Sequence, residues 1–503
     1  MGDLRQDDRL FSLGLFWAAL APRLYAALRW AKEPVWDGHY YHFGAERIAR
    51  GLGYSEDVIV DGVAHWKPWC HYPVGYSGFL GGIYKVFGSG VHVAPIANAV
   101  VGSLTAVLVH RIARSWLSPD RARVAGVLCA AHPGLILYSA LVMTEGLAAF
   151  TVLLGGWLAL TAPKLRGAWS SGIAFGLSAL VRPTALLMLP LLTFIWSGNW
   201  RKRLVLTTVA CVVALLTISP WTVRNCRVMD GCALVSTNGG WNLAIGALTE
   251  TGRFTTLRAE DGCRDVTGQV DQDRCWGRVG RERIFDDPLR WLGLVPKKLA
   301  QTYNHESFAV GYLAHARPEL WPEDRQHAWR SSLTVVHHLL MAAATCAAIG
   351  LVLPRRWPLT LAGAVQGGML LLTAGFYAYG LRNSDYPLFW GIVLAPLIAV
   401  LPLPGRPSLG ATGLWLWGLV LLTSVTHAVF FGEDRYHLTI SPMLCVLAAA
   451  ALRRPVPDLV PGRAEVLDAD AATPATELAP TPSSSPSPSS TLARGATPPC
   501  SVP

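Results

Sequence analysis

Apolar runs recur along this sequence from Leu10 to Leu452. The longer ones approach the roughly 20 residues that a helix needs to cross a bilayer. Composition agrees, with 52% of the 503 residues apolar and 15% charged, against about 25% charged in an ordinary soluble chain. The sequence therefore reads as an all-α polytopic membrane protein. A formal charge of +10 would suit nucleic acid if it were gathered on one face. Here the basic residues fall in short clusters between apolar runs, which is a topology signal and excludes a nucleic-acid footprint.

Polar MGDLRQDDR precedes a first run, Leu10–Leu28. No small-residue cleavage site follows it, so an uncleaved helix is expected in place of a signal peptide. Further spans are expected at Val91–Val109, Val124–Leu141, Met143–Ala162, Ser170–Leu180, Thr184–Trp196 and Leu204–Trp221. After a long polar segment come Ser331–Leu353, Leu359–Tyr379, Leu388–Leu401, Gly413–Phe431 and His437–Leu452. That makes about 12 crossings at the usual span length. The turns RIARSWLSPDRAR, PKLRG, NWRKR and PRRW are basic and fall on one side, the cytoplasmic one by the positive-inside rule.

Four regions follow: an N-terminal membrane module 1–222 with a first external loop 29–90, an external domain 223–330, a second membrane module 331–455 and a tail 456–503. The tail is rich in Pro, Ser and Thr and is expected to be disordered and cytoplasmic, since it cannot bury enough surface to offset its ordering entropy. Five of the ten cysteines lie in the expected external segments. An oxidising compartment favours pairing Cys226 with Cys232 and Cys263 with Cys275 over a zinc site, because neither pair has the tight CxxC form. Cys70 is left over. His39, His42, His65 and His71 match no zinc template, and His132 and His337–His338 read as packing residues.

The stretch Trp36–Phe87 is too polar to cross a membrane, and Asp37 lies just past the first span. An ionisable group at that depth is usually kept for function, which makes Asp37 the catalytic candidate. Glu145, in MTEGL, starts the fourth span on the same side; a carboxylate at a helix N-terminus is also stabilised by the dipole alone, by about 0.3–1 kcal/mol. Arg182, in LVRPTALLMLP, is placed either to snorkel to headgroups or to meet a lipid phosphate with its planar fork. Arg224 and Asn225 emerge after the helix-ending Pro220. Arg435 and Tyr436, in HAVFFGEDRYHLTISP, form the last external turn, as an interfacial anchor pair or as a phosphate site.

An acidic residue after the first helix, followed by YYHFGAERIARGLGYS and HYPVGYSGFLGGIYKVFG, resembles the first external loop of the GT-C glycosyltransferases that use polyprenyl-phosphate sugars. The pattern is similar to that of the protein O-mannosyltransferase and lipid A aminoarabinose transferase group. LVMTEGL, SPWTVRNCRVMDGCALVSTNGGWNLAIGA and the HxxxFGxxRY pattern ending at Tyr436 extend the resemblance in matching order. It is weakest from Thr249 to Arg330.

The resemblance implies a GT-C fold with external loop helices and a small external domain, set in the cell (inner) membrane with its active site on the periplasmic face. It implies an inverting transfer of a sugar from a polyprenyl-phosphate donor to a lipid, glycan or protein acceptor. Asp37 would be the base, with Arg435, Tyr436, Arg182 and Arg224 the phosphate-binding candidates and Glu145 a second acidic residue. The resemblance makes no cofactor certain, since some relatives of this type use a metal and others do not; a divalent ion bridging the donor phosphate and Asp37 stays open. Two other readings stand beside it, a transporter or flippase of lipid-linked glycans and a polysaccharide ligase with a diphosphate donor. A transporter should show ionisable or broken-helix sites at mid-membrane, and few are evident.

Overall fold

A computed structural model describes residues 2–162, 164–350, 360–382, 389–401 and 409–452. The tail beyond Val456, the PRRW turn and most of the RNSDYP turn lie outside them. The first apolar run forms α1 (Gly2–Trp30), and the loop that follows is not wholly helical as expected. Between α2 (Asp37–Ala49) and α3 (Val74–Phe87) it forms an antiparallel hairpin of β1 (Ser55–Val60) and β2 (Val63–Pro68). The sequence signal is Asp61-Gly62, both at positive φ (51° and 77°). Such a pair makes the two-residue turn whose twist matches the flanking strands.

The bundle continues through α4 (Val93–Ala113), α5 (Pro119–Ala131) and the short α6 (Pro133–Leu137), which runs into a 3-10 turn at Tyr138–Ala140. The expected single span Val124–Leu141 is thus broken, with a bend of 50° between its two pieces. Pro133 supplies the cause, because it has no N–H to bond back into the preceding turn. Carbonyls freed at the break need a donor, and α1 provides it. Arg23, 1% exposed, donates to Cys129 O at 2.9 Å and Ala130 O at 2.8 Å. A buried cation on a helix C-terminus satisfies orphan carbonyls and the dipole together.

Next come α7 (Glu145–Thr161), α8 (Lys164–Val181), the brief α9 (Ala185–Met188) continued as a 3-10 turn to Phe194, and α10 (Trp200–Val228). Small residues decide how closely these pack. Gly172 and Gly176 of α8 lie against Ala210, Val213 and Thr217 of α10, where a Cβ would meet backbone or side chain inside 3 Å. This is the small-xxx-small spacing that brings membrane helices together. The second arm of the expected hairpin, Thr184–Trp196, is only a short apolar helix over Ala185–Phe194. Pro190 sits at its middle and removes a helical hydrogen bond.

Residues 229–322 carry α11 (Gly239–Leu248), α12 (Gln269–Asp286), α13 (Pro288–Tyr303) and α14 (Phe308–Ala316). Cys226–Cys232 and Cys263–Cys275 are both disulfide-bonded, and Cys70 is free and buried. A small core of Ala244, Ile245, Leu257 and Trp276 packs on Phe431 and Tyr436, tying this segment to the last turn of the bundle. Lys298 of α13 closes a second tie once α15 (Glu323–Ile349), α16 (Leu361–Arg382), α17 (Phe389–Val400), α18 (Gly410–Val429) and α19 (Ser441–Ala450) are in place. Its ammonium donates to Ala428 O at 3.2 Å and Val429 O at 3.1 Å, at the C-terminus of α18.

Among the described residues five helices, α1, α4, α10, α15 and α18, are by length and composition long and apolar enough to cross a membrane, or six if the bent α5–α6 pair counts as one span. The protein is a multi-pass membrane protein. Among the described residues the expected spans at Met143–Ala162, Thr184–Trp196, Leu388–Leu401 and His437–Leu452 are shorter apolar helices, and those at Ser170–Leu180 and Leu359–Tyr379 fall in α8 and α16, of 18 and 22 residues.

Candidate active site

Asp37 is the first residue of α2, and the backbone just before it is strained. Trp36 has φ 52°, a left-handed conformation that is costly for a bulky residue. Its ring is held edge-on by Phe308 at 5.4 Å and Tyr312 at 5.8 Å. On the other side Gly38 packs where any Cβ would strike the Tyr312 hydroxyl and come within 2.9 Å of Val142 O. The start of α2 is therefore clamped between α14 and the end of the broken span, and the Asp37 carboxylate is aimed into a cavity.

Both carboxylate oxygens are engaged. Tyr72 Oη donates to Oδ1 at 2.8 Å, and Arg435 Nη1 donates to Oδ2 at 2.5 Å. Burial by itself pushes the Asp37 carboxyl up. The Arg435 charge and hydrogen bond, the Tyr72 hydroxyl and the more distant Arg182 outweigh it, so Asp37 is held below its ordinary value and ionised. Arg435 also lies 2.5 Å from Glu433 Oε2 through its Nε, and its Nη2 donates to Tyr436 Oη at 3.4 Å. Burial pushes the Glu433 carboxyl up, with Arg435 opposing and Asp434 and Asp37 adding to the rise.

The 3-10 turn Asp434–Thr439 presents Arg435, and its anchorage is specific. Asp434 Oδ2 accepts from the backbone N–H groups of Ser307 and Phe308 and so caps the start of α14, while His437 Nδ1 faces Thr302 O at 2.7 Å. Beside it Arg182, just past α8, donates to Glu145 Oε1 at 2.9 Å and to Thr144 Oγ1 at 3.2 Å. Glu145 is 1% exposed at the first position of α7, so it has both a cationic partner and the helix dipole. The two residues singled out separately from the sequence form one ion pair.

These groups wall a cavity of about 330 Å³ lined by Asp37, Tyr41, His71, Tyr72, Thr144, Arg182, Asn238, Trp241, Asn242, His427, Arg435 and Tyr436, with Phe254, Phe430 and Phe431 adding apolar surface. The size is that of an ordinary small-ligand pocket. Burial lowers His71 to about 4, so it is uncharged at neutral pH. Arg224 is not part of this wall. Its guanidinium donates to Tyr54 O at 2.6 Å and Trp69 O at 3.1 Å, fastening the first-loop hairpin to α10.

Tyr72 and Glu433 belong to the constellation and were not anticipated. Glu433 was legible as the second residue before Arg435 in GEDRY; Tyr72, in HYP, carries no local sign that it reaches Asp37. No three His, Cys, Asp or Glu ligand atoms converge on Asp37 among the described residues. The one group of that kind is Glu306, His337 and His437, so His337, expected to be a packing residue, has polar company.

Comparison with known proteins bears on this geometry. Residues 71–223 match the family model of dolichyl-phosphate-mannose-protein mannosyltransferases. That family is of the GT-C type which the loop motifs resemble. The match covers less than a third of the chain; it includes Tyr72, Glu145 and Arg182 and leaves out Asp37 and Arg435. No curated protein matches the sequence. Among solved structures, an Archaeoglobus fulgidus oligosaccharyltransferase tethered with an acceptor peptide is similar at 13% identity and a TM-score of 0.42, over 88% of this chain and 49% of that one. The chain thus spans about half the length of that enzyme. ArnT from Cupriavidus metallidurans bound to undecaprenyl phosphate is similar at 16% identity and a TM-score of 0.34, over 85% of this chain and 77% of that one.

Proposed function

We propose that this chain is an integral-membrane glycosyltransferase that moves a sugar from a polyprenyl-phosphate donor to a lipid, glycan or protein acceptor, at the external face of the membrane, by one inverting displacement. The observation that carries this reading is the meeting of Asp37 and Arg435, 398 residues apart, at the wall of a cavity with a second cation, Arg182, beside them. The match of residues 71–223 to a family named for a lipid-phosphate sugar donor supports the donor class.

The chemistry needs two things from the protein: a base for the acceptor proton and cationic stabilisation of the departing phosphate. The acceptor oxygen or nitrogen bonds to the anomeric carbon while the bond from that carbon to the phosphate oxygen breaks, and the electron pair leaves with the prenyl phosphate. Asp37 takes the acceptor proton. Since the phosphate leaves already ionised, no acid is required, and one carboxylate serves where a glycosidase uses two.

Arg435 links the two demands. With the cavity empty it neutralises Asp37; a donor phosphate competes for the same guanidinium, and Asp37, left to the effect of burial, becomes a stronger base as the donor seats. Arg182 and Tyr436 are the further phosphate contacts. Trp241, Phe254 and Phe431 give the sugar or acceptor a flat apolar face.

The experiment is transfer by the purified full chain from synthetic polyprenyl-phosphate sugars, with the configuration of the product bond determined. Inverted product from monophosphate donors is expected. Activity confined to diphosphate donors would move the reading to a ligase, and lipid-linked sugar crossing vesicles without transfer would move it to a flippase.

A further inference from the structure

Arg435 serves two carboxylates, and only one of them faces the cavity. Its Nη1 donates to Asp37 Oδ2 and its Nε stands against Glu433 Oε2, each at 2.5 Å. Asp37, Arg435 and Tyr436 line the cavity, whereas Glu433 meets the guanidinium from outside it. Arg182 offers Glu433 no relief, because it is committed to Glu145 Oε1 at 2.9 Å. Two cations therefore answer three carboxylates, Asp37, Glu145 and Glu433, before any ligand enters.

The two partners of Arg435 are held unequally. Asp37 keeps a second donor, the Tyr72 hydroxyl at 2.8 Å, if Arg435 is drawn away. Glu433 has no such reserve at Oε2, which makes no aligned hydrogen bond even to Arg435 Nε, so that contact is an ion pair alone. Around Glu433 stand Asp434 and Arg435 of its own turn, Asp37 at the start of α2 and Glu145 at the start of α7. Asp434 is spent on the N–H groups of Ser307 and Phe308. Arg182 lies over the Tyr436 ring, 5.3 Å from its centre, and Arg253 and His305 lie on the Asp434 side. The Lys298 ammonium is taken by the carbonyls at the end of α18. Burial pushes the Glu433 carboxyl up and Arg435 opposes it, while Asp434, Asp37 and Glu145 add to the rise.

Resting on the lipid-phosphate reading above, we propose that Glu433 is a positioning residue of the leaving-group site: when a lipid phosphate engages Arg435, Glu433 takes one proton from solvent and gives up its share of the guanidinium, while Asp37 stays ionised. With the cavity empty, Arg435 holds both carboxylates as anions. The phosphate brings one negative charge and Glu433 loses one, so Arg435 and Arg182 answer the same total as before. The Glu433 side chain is 18% exposed, which lets water deliver the proton. A neutral Glu433 still offers Arg435 Nε a carbonyl oxygen as acceptor, so the guanidinium keeps its aim while its charge goes to the phosphate. Asp37 is thereby left free to act as the base.

The test uses farnesyl methyl phosphate, a diester with one fixed negative charge and no proton to exchange near neutral pH, added to the full-length chain purified in detergent. Titration calorimetry in buffers of different ionisation enthalpy counts the protons. Uptake of about one proton per ligand is expected, with affinity falling by up to about tenfold per unit as pH rises. Glu433→Gln should bind the diester with neither the uptake nor the pH slope, and Asp37→Asn should keep both. An infrared difference spectrum of the unmutated chain should gain a protonated-carboxyl band on binding, which keeps the proposal testable if a variant fails to fold. Binding without proton uptake, or uptake that survives Glu433→Gln or is lost in Asp37→Asn, would overturn the assignment and leave the phosphate site standing. Failure of the unmutated chain to bind the diester at all would take the lipid-phosphate reading down with it.

Discussion

Replacing Arg435 by alanine removes the group that pairs with Asp37, the proposed base, and that is proposed to hold the departing phosphate. The side chain is 13% exposed and touches Asp37, 24% exposed, and Glu433, 18% exposed, each at 2.5 Å. Stripping the cation from a buried pair leaves an uncompensated charge, a loss of about 3–5 kcal/mol of stability; partial exposure of both carboxylates puts this case near 3. The pH dependence should change sign. In the intact protein the folded Asp37 carboxyl is depressed, so its contribution is present above the unfolded value of about 3.9 and is lost as pH falls through the folded value. Without Arg435, burial dominates and raises Asp37, as it already raises Glu433. The folded state then binds protons more readily than the unfolded chain, and stability falls as pH rises towards neutral. The melting deficit of Arg435→Ala should therefore be wide at pH 8 and narrow near pH 5. Losing one donor to the developing anion is expected to lower turnover by about 10²–10³. Arg435→Lys should regain more stability than rate, because lysine keeps the charge and loses the planar fork. Calorimetry across pH, with turnover at limiting and saturating donor, reads both effects. Wild-type turnover by Arg435→Ala, or a melting deficit that does not vary with pH, would refute this reasoning.

Two further outcomes follow from the packing. Thiol labelling of denatured, unreduced protein should leave Cys263 and Cys275 unmodified and label Cys70; quantitative labelling at Cys263 would remove that bond from the account. Gly75→Ala puts a Cβ 2.5 Å from the carbonyl carbon of Leu180 on α8, a backbone contact that cannot rotate away, and should cost about 1–3 kcal/mol. Gly82→Ala on the same helix α3 meets nothing within 4 Å and should raise stability by about 0.4–1 kcal/mol; equal melting temperatures for the two variants would contradict the tight approach of α3 to α8.

How much of this was legible varies with the range of the interaction. Asp37 stood out because a carboxylate just past an apolar run is conspicuous along the chain, and Arg435 and Arg182 because cations beside spans are. The Asp-Gly turn of the first-loop hairpin was equally local and was passed over inside a chain read as all helix. Pairing was a different matter. That Arg182 belongs to Glu145, Arg435 to Asp37, and Arg224 to the carbonyls of Tyr54 and Trp69 depends on which helix ends the bundle brings together, and no local pattern records it. The meeting of His337 with His437 and Glu306 was unreadable for the same reason, since residues drawn from three distant elements make no motif. The break at Pro133 was visible as a proline, but its tolerance depends on Arg23, contributed from more than one hundred residues earlier.

The most direct measurement for the central claim is turnover of Asp37→Asn with saturating polyprenyl-phosphate sugar. Asparagine keeps the size and accepts the Tyr72 hydroxyl but takes up no proton near neutral pH, so the rate should fall by about 10²–10⁴ while donor binding and expression persist. Turnover equal to that of the unmutated chain would contradict the assignment of Asp37 as the base, and with it the mechanism.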